Sequence, residues 1–252
     1  MKSRFTLISL AAAAASVVIA VTLPAQGSFF SPEGSFAVEV SLDNATRPRL
    51  PIYRNRMTSL AVVGDYVIGG TKADQGLSPF LFAVSLSRKS LEAVLDLAEV
   101  VPGQRAIQSG FGWGRAGVLY AGTIPDAEGA SGHLIEVQLV DNEFHVRDLG
   151  QVVSGEGIFS ITADSLRGMV YGITHPNGRF FAYNISTGRA MVYEETSPTK
   201  KQFSYYHHYA LEVEDFLSRS LVLDRKGRVY GSKPVNRLFR FDPESGAIEV
   251  LP

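Results

Sequence analysis

Cysteine is absent from this sequence, and its absence excludes several kinds of scaffold and site. The chain has no disulfide framework, no thiolate metal site and no thiol nucleophile, and it lacks the residue on which a lipoprotein anchor is built. Charge is also scarce: charged residues make up 19% of the chain, and the net charge is −1. Because basic and acidic residues are interspersed, no polyanion-binding surface is predicted, and nucleic acid is not an expected partner.

A sustained 3.6-residue hydrophobic period is missing beyond the N-terminal leader, so little helix is predicted there. The chain is instead rich in glycine, with 24 residues, and in short apolar stretches. One phrase recurs four times, about 50 to 60 residues apart: YVIGGT from Tyr66, VLYAGT from Val118, MVYGIT from Met169 and RVYGSK from Arg228. A repeat of this length is typical of solenoids and propellers.

Each repeated phrase lies within a longer unit that reads as four short strands. In the third unit, Gly157 to Thr196, apolar stretches are separated by turns at Asp164 to Gly168 and at Ser186 to Gly188. A four-stranded antiparallel meander with this period predicts an all-β fold, a β-propeller with four recognisable four-stranded blades. A β-sandwich also has short, evenly spaced strands, but it would not repeat a whole four-strand unit at a fixed offset.

The strand just before each repeated phrase is predicted to be the innermost strand of its blade. These strands are Met57 to Gly64, Ala106 to Phe111, Gly157 to Ala163 and Ser220 to Asp224. The FGWG segment from Phe111 to Gly114 holds the only tryptophan. It is interpreted as part of a small-residue innermost strand rather than a phosphate loop, because no helix follows it.

The N-terminus has the features of an export signal, which we assign to residues 1–27. Lys2 and Arg4 precede an uncharged run from Phe5 to Leu23, and Ala25 and Gly27 place small residues before a cleavage point. The run is also long enough to be an uncleaved membrane anchor. Contact with a membrane is expected only if the leader is not cleaved. Export of a cysteine-free chain predicts a bacterial periplasmic or extracellular location.

The rest of the chain divides into a lead-in, residues 28–56, and the blades, residues 57–252. The lead-in has one strand-like stretch, Ser35 to Leu42. Since the chain stops directly after the fourth unit, the expectation is either a small four-bladed ring or an incomplete one, and incompleteness is favoured. An open ring would leave an apolar blade face exposed.

The phrases GMVYGITHPNGRFFAYNISTG and GRVYGSKPVNRLFRFDPESG resemble repeats of exported bacterial β-propellers, a group with quinoprotein-like, NHL-like and gluconolactonase-like members. The resemblance covers Met57 to Pro252 and implies the propeller architecture. The export signal and the His, Tyr and Arg content suggest a weaker similarity to seven-bladed polysaccharide lyases, such as ulvan and oligogalacturonate lyases. Fold alone does not decide function among these families.

In propellers, the connections between second and third strands and those between blades emerge on one face, which is the expected binding surface. The connections within blades predict five ligand-binding residues: Asp126, His175, Asn177, Arg179 and Arg237. Contact with a glycan, peptide or protein partner is the preferred function. The expected partners are a polysaccharide or an envelope protein.

The third connection between blades is unusually long, from Thr196 to about Ser218, and defines an insertion rich in His and Tyr. If the protein is an enzyme, Tyr205, Tyr206, His207 and His208 would provide acid–base groups and Arg219 a carboxylate clamp for a lyase acting on uronate polymers. The competing interpretation is that these rings only pack the insertion onto its scaffold. No cofactor and no metal site are predicted, because a set of His175 with His207 or His208 lacks close ligand spacing.

Overall fold

The computed structural model describes residues 28–30, 36–38, 40, 55–193, 217–233 and 237–251. The strands Ser28–Phe30 (β1) and Phe36–Val38 (β2) form an antiparallel pair within a unit that comprises residues 1–41. The predicted lead-in strand therefore contains β2, and β1 is an additional strand. All other strands belong to a second unit, residues 42–252.

The second unit contains four successive antiparallel meanders, which we call blades 1 to 4. Blades 1 and 2 are joined in one nine-stranded sheet, and blades 3 and 4 are separate four-stranded sheets. Blade 1 comprises Asn55–Val63 (β3), Tyr66–Ala73 (β4), Phe80–Ser85 (β5) and Ser90–Asp96 (β6). Blade 2 comprises Gln104–Ile107 (β7), Gly112–Trp113 (β8), Leu119–Pro125 (β9), His133–Val140 (β10) and Glu143–Gln151 (β11). Blade 3 comprises Gly157–Asp164 (β12), Met169–His175 (β13), Phe180–Asn184 (β14) and Arg189–Tyr193 (β15). Blade 4 comprises Leu221–Leu223 (β16), Val229–Lys233 (β17), Arg237–Asp242 (β18) and Ala247–Leu251 (β19).

The first strands of blades 1, 3 and 4 agree with the predicted innermost strands, but that of blade 2 needs a correction. It is split into β7 and β8, and residues 108–111 between them are not in a strand. A bulge between Gln104 and Ala106 shifts the register of β7 on β9, and β7 also pairs with β4 through Ala106 and Lys72. A 3₁₀ turn at Leu97–Glu99 is the one helical element in the ranges described above, and nothing in them is helical for long enough to span a bilayer.

Three hydrophobic clusters coincide with the three junctions between consecutive blades. Ile68 and Leu81 of blade 1 meet Ile107 and Leu119 of blade 2, in a cluster that continues to Ile135. Tyr120 and Leu134 of blade 2 meet Ile158 and Phe181 of blade 3, and Tyr171 and Phe180 of blade 3 meet Leu221 and Phe239 of blade 4. Three apolar layers between four successive meanders confirm the β-propeller prediction, because a sandwich has a single such layer between two sheets.

A glycine in the second strand leaves room for an aromatic ring from the third strand in three of the blades. The paired positions are Gly69 with Phe82, Gly172 with Phe181 and Gly231 with Phe239. A Cβ atom added at Gly69 would lie 2.1 Å from Cζ of Phe82, far inside van der Waals contact. In blade 2 the corresponding pair is Ala121 with Ile135, so a larger second-strand residue accompanies a smaller partner. The repeated glycine is therefore explained by packing within each blade.

Candidate ligand-binding site

A buried threonine closes the loop end of the second strand in blades 1, 2 and 3. Each threonine hydroxyl accepts a hydrogen bond from a backbone N–H where the third strand begins. It also donates a hydrogen bond to a polar side chain where the first strand begins. The threonine and polar pairs are Thr71 with Asn55, Thr123 with Gln104, and Thr174 with Glu156. The N–H donors are those of Phe80, His133 and Arg179. These bonds fix the strand ends from which the loops of this face emerge.

Blade 3 differs from blades 1 and 2 because its polar partner is a carboxylate rather than an amide. Glu156 is only 4% exposed, and its Oε1 accepts a hydrogen bond from Nδ2 of Asn177 at 2.7 Å. The guanidinium of Arg179 lies 3.2 Å from the same oxygen. The buried charge is therefore compensated by partners from the β13–β14 loop, which it holds in place.

A cavity of about 600 Å³ opens on this face among the loops of blades 1, 2 and 3. Its polar lining includes Gln75, Arg105, Asp126, Glu128, His175 and Asn177. A concave site of this size, formed by loops on a rigid scaffold, is suited to a small ligand or the end of a larger one.

Arg105 is the cavity residue that the sequence analysis missed. It lies in β7, and its Nε is buried without a hydrogen-bond partner in the described part of the chain. An unsatisfied buried donor costs about 1 to 3 kcal/mol, and more when the group is charged. The propeller topology predicts site residues in loops, whereas Arg105 lies in β7, the first strand of blade 2. An arginine within such a strand was the signal that could have identified it.

The acidic groups of the cavity differ from Arg105 in their environment. Both carboxylate oxygens of Asp126 approach the backbone N–H of Gly76, at 3.2 and 3.1 Å. Glu128 is exposed at the cavity edge. The lining therefore combines a half-buried arginine, whose Nε lacks a partner in the described residues, with carboxylates that are solvated or hydrogen-bonded.

The five residues predicted to bind a ligand do not all reach this cavity. Asp126, His175 and Asn177 line it. Arg179 is adjacent to it, through its ion pair with Glu156. Arg237 is exposed at the start of β18 in blade 4 and does not belong to the lining.

Arg219, the predicted carboxylate clamp, contacts the same aromatic ring as His175, that of Phe159. Its Cζ lies 5.7 Å from the centroid of the Phe159 ring, and the imidazole of His175 stacks on the same ring at 6.1 Å. Tyr205, Tyr206, His207 and His208 lie outside the described residues. The acid–base roles assigned to them therefore stay predictions.

No family model matches the sequence, and a search of curated proteins found no match either. Several solved structures are similar. The extracellular domain of a candidate one-component system from B. thetaiotaomicron superposes with a TM-score of 0.51 at 17% identity, over 88% of this chain and 23% of that one. The RRP9 WD40 repeats give a TM-score of 0.54 at 7% identity, over 79% of this chain and 54% of that one.

Regucalcin from Agrobacterium tumefaciens, a calcium-binding protein, gives a TM-score of 0.51 at 17% identity, over 89% of this chain and 72% of that one. The chain thus spans less than two thirds of the first two structures. One of the three is an extracellular domain, while export of this chain and the lyase similarity stay predictions. At these identities the structural likeness shows the fold, and this chain has the fold of a β-propeller.

Proposed function

We propose that this protein is a binding β-propeller whose loop-face cavity holds its ligand through a carboxylate group. The observation that supports this proposal is Arg105, whose side chain lines a cavity formed by loops of three blades and whose Nε has no hydrogen-bond partner in the described residues. A guanidinium binds a carboxylate through two parallel N–H···O bonds.

The other charged groups of the cavity favour a single carboxylate over a polyanion. Glu156 is engaged by Asn177 and Arg179, whereas Asp126 and Glu128 place negative charge near the opening. A polymer with a carboxylate on every residue would be repelled by these two side chains. A chain end with one carboxylate, from a uronic acid or a peptide C-terminus, meets one cation without that repulsion.

Calorimetric titration of the full chain tests the proposal. The probes are glucuronic acid and its methyl ester for the sugar source, and trialanine and its C-terminal amide for the peptide source. We expect one acid to bind and its neutral counterpart to bind at least tenfold more weakly, because a charge-assisted hydrogen bond contributes about 1.5 to 3 kcal/mol.

The variant Arg105→Gln should weaken binding of the same acid by a similar factor. Arg189→Gln, an exposed arginine on the outer strand β15, is the matched control and should bind like the wild type. Equal affinity of acid and neutral probe, or wild-type affinity of Arg105→Gln, would contradict the proposal, as would failure of both acids to bind.

A polysaccharide lyase is the second candidate, and one contact supports it. His175 and Arg219 share the Phe159 ring, and Arg219 follows directly after the His- and Tyr-rich insertion. The C-terminal end of that insertion is held on blade 3, because Ser160 Oγ donates to the carbonyl of Ser218 at 2.6 Å. A base from the insertion and an arginine beside it are the groups that elimination from a uronate requires.

A further inference from the structure

Charges of both signs line the loop-face cavity, and they do not pair with one another. Arg105 lies in β7, and Asp126 and Glu128 lie in the β9–β10 loop of the same blade. No hydrogen bond or ion pair joins the Arg105 guanidinium to either carboxylate. Oppositely charged groups that share a cavity without contact leave room between them for a ligand.

Asp126 is the better fixed of the two carboxylates. The backbone N–H of Gly76, in the β4–β5 loop of blade 1, lies 3.2 and 3.1 Å from its two oxygens. The backbone N–H of Asp126 itself donates to the carbonyl of Gly103 at 2.9 Å. A carboxylate has about four acceptor positions, so the one donor that reaches it among the described residues leaves most of them unused. Asp126 is therefore a fixed anion with spare acceptor capacity.

The cation that suits these carboxylates is an ammonium group rather than a metal ion. Within the part of the chain that the structure describes, no group of three His, Cys, Asp or Glu side chains could hold a metal ion. A metal ion needs several protein ligands at once, whereas an ammonium group only needs acceptors for its N–H bonds. Asp126 offers such acceptors, and Glu128 adds negative charge at the exposed edge.

The size of the cavity limits how far apart the two charges of a ligand can be. A cavity of about 600 Å³ would be about 10 Å across if it were round, and an extended chain gains about 3.3 to 3.6 Å per residue. Both ends of a peptide of about three residues therefore fit inside it together. Small or apolar residues form much of the remaining wall: Ile124, Pro125, Ala127, Gly129, Ala130 and Pro176.

We infer that the ligand of this cavity is a short peptide, of about three residues, with both termini free. This inference rests on the proposed carboxylate-binding function and adds a second contact to it. Arg105 binds the C-terminal carboxylate through two N–H···O bonds, and Asp126 accepts hydrogen bonds from the N-terminal ammonium group. A uronic acid has the carboxylate but no ammonium group, so it would leave Asp126 without its cation.

Calorimetric titration of the full chain with three matched probes tests this inference. The probes are trialanine, its C-terminal amide, and lactoyl-alanyl-alanine, in which a hydroxyl group replaces the ammonium group. We expect trialanine to bind at least about tenfold more tightly than either of the other two, because each of them lacks one charge-assisted contact.

The variant Asp126→Asn separates the ammonium contact from the rest of the site. Asparagine keeps an oxygen that can accept from the Gly76 N–H, so the contact between the two loops is retained. The variant should bind trialanine at least about tenfold more weakly than the wild type does, but lactoyl-alanyl-alanine with unchanged affinity. Glu128→Gln should weaken trialanine binding by less than about fivefold, because an exposed charge contributes little. Glu143→Gln, an exposed glutamate on β11, is the control and should bind like the wild type.

Two results would overturn the peptide inference but leave the carboxylate-binding proposal standing. One is equal affinity for trialanine and lactoyl-alanyl-alanine, and the other is binding of glucuronic acid without binding of trialanine. Wild-type affinity of Asp126→Asn for trialanine would also overturn the inference. Equal affinity for trialanine and its amide would instead contradict the contact with Arg105, and with it both proposals.

Discussion

Asn177 donates a hydrogen bond from Nδ2 to Oε1 of Glu156 at 2.7 Å, and this contact connects the loop of blade 3 to the buried end of its first strand. Glu156 is the carboxylate at a position where blades 1 and 2 have an amide. The loop that contains Asn177 is therefore held in blade 3 by a charged carboxylate, whereas blades 1 and 2 have a neutral amide at this position.

The substitution Glu156→Gln tests how much that charge contributes. We expect the variant to fold, because Gln104 makes the corresponding threonine contact in blade 2. We expect the free energy of unfolding to fall by about 1 to 2 kcal/mol, below the value for a fully buried pair, since Arg179 is partly solvated. Urea denaturation measures the change. The reciprocal Gln104→Glu variant should lower the free energy of unfolding more than Glu156→Gln does. A larger decrease for Glu156→Gln than for Gln104→Glu would contradict this explanation.

A double-mutant cycle tests the packing of glycine against phenylalanine. Gly69→Ala should destabilise the fold by about 1 to 3 kcal/mol, because the new methyl group would overlap the Phe82 ring. Phe82→Ile removes ring volume, and the Ala and Ile pair then matches Ala121 and Ile135 of blade 2. The double variant should therefore lose less stability than the sum of the two single losses. If the stability losses of the two single variants add up to that of the double variant, the Phe82 ring does not require a glycine at position 69.

Stability should fall in alkali because of Tyr171. Burial, and to a lesser extent the nearby Asp164 carboxylate, raise the pKa of the Tyr171 phenol to about 12 from an ordinary 10.0. The folded state therefore holds this proton more tightly than the unfolded state. Its contribution is complete below about pH 10 and is lost as the pH rises toward about 12.

Tyr171→Phe is the matched variant for this effect. The phenolic oxygen of Tyr171 is buried and has no hydrogen-bond partner among the described residues, so its removal should raise stability at pH 7, by about 1 kcal/mol or more. Denaturation midpoints at pH 9 and pH 11 should differ less for the variant than for the wild type. Burial also raises the pKa values of Tyr120, Tyr183 and Tyr193, so part of the alkaline loss should remain.

The leader prediction concerns residues 1–27. We expect the mature N-terminus to be Ser28 or a residue within a few positions, because small residues precede that point after a charged start and an apolar run. N-terminal sequencing of the protein recovered from the periplasm or the medium measures this directly. An intact leader in the membrane fraction would support the anchor instead.

The lyase alternative predicts a loss of product without a loss of fold. A variant with both His207→Ala and His208→Ala should stay folded but release no unsaturated uronate absorbance from acidic polysaccharides. Circular dichroism provides the control for folding. If the wild type releases no such product from any uronate polymer, the lyase alternative fails, and the binding proposal is judged by its own titration.

The sequence alone determined the four blades and most of their strands, because a blade is specified locally. Alternating turns and apolar stretches recur at one period, and each hairpin depends on residues close in the chain, such as Asp164 and Gly168. The split innermost strand of blade 2 could not be predicted in this way, because β7 takes a second partner from blade 1.

Only the tertiary structure decided which side chains meet between blades. The sequence placed Asp126, His175 and Asn177 on one face from the topology of a propeller, but it assigned no role to Arg105 or Glu156. Those roles depend on contacts between residues far apart in the chain. Radial packing sets these contacts, because it fixes the distances between strands that no local pattern encodes.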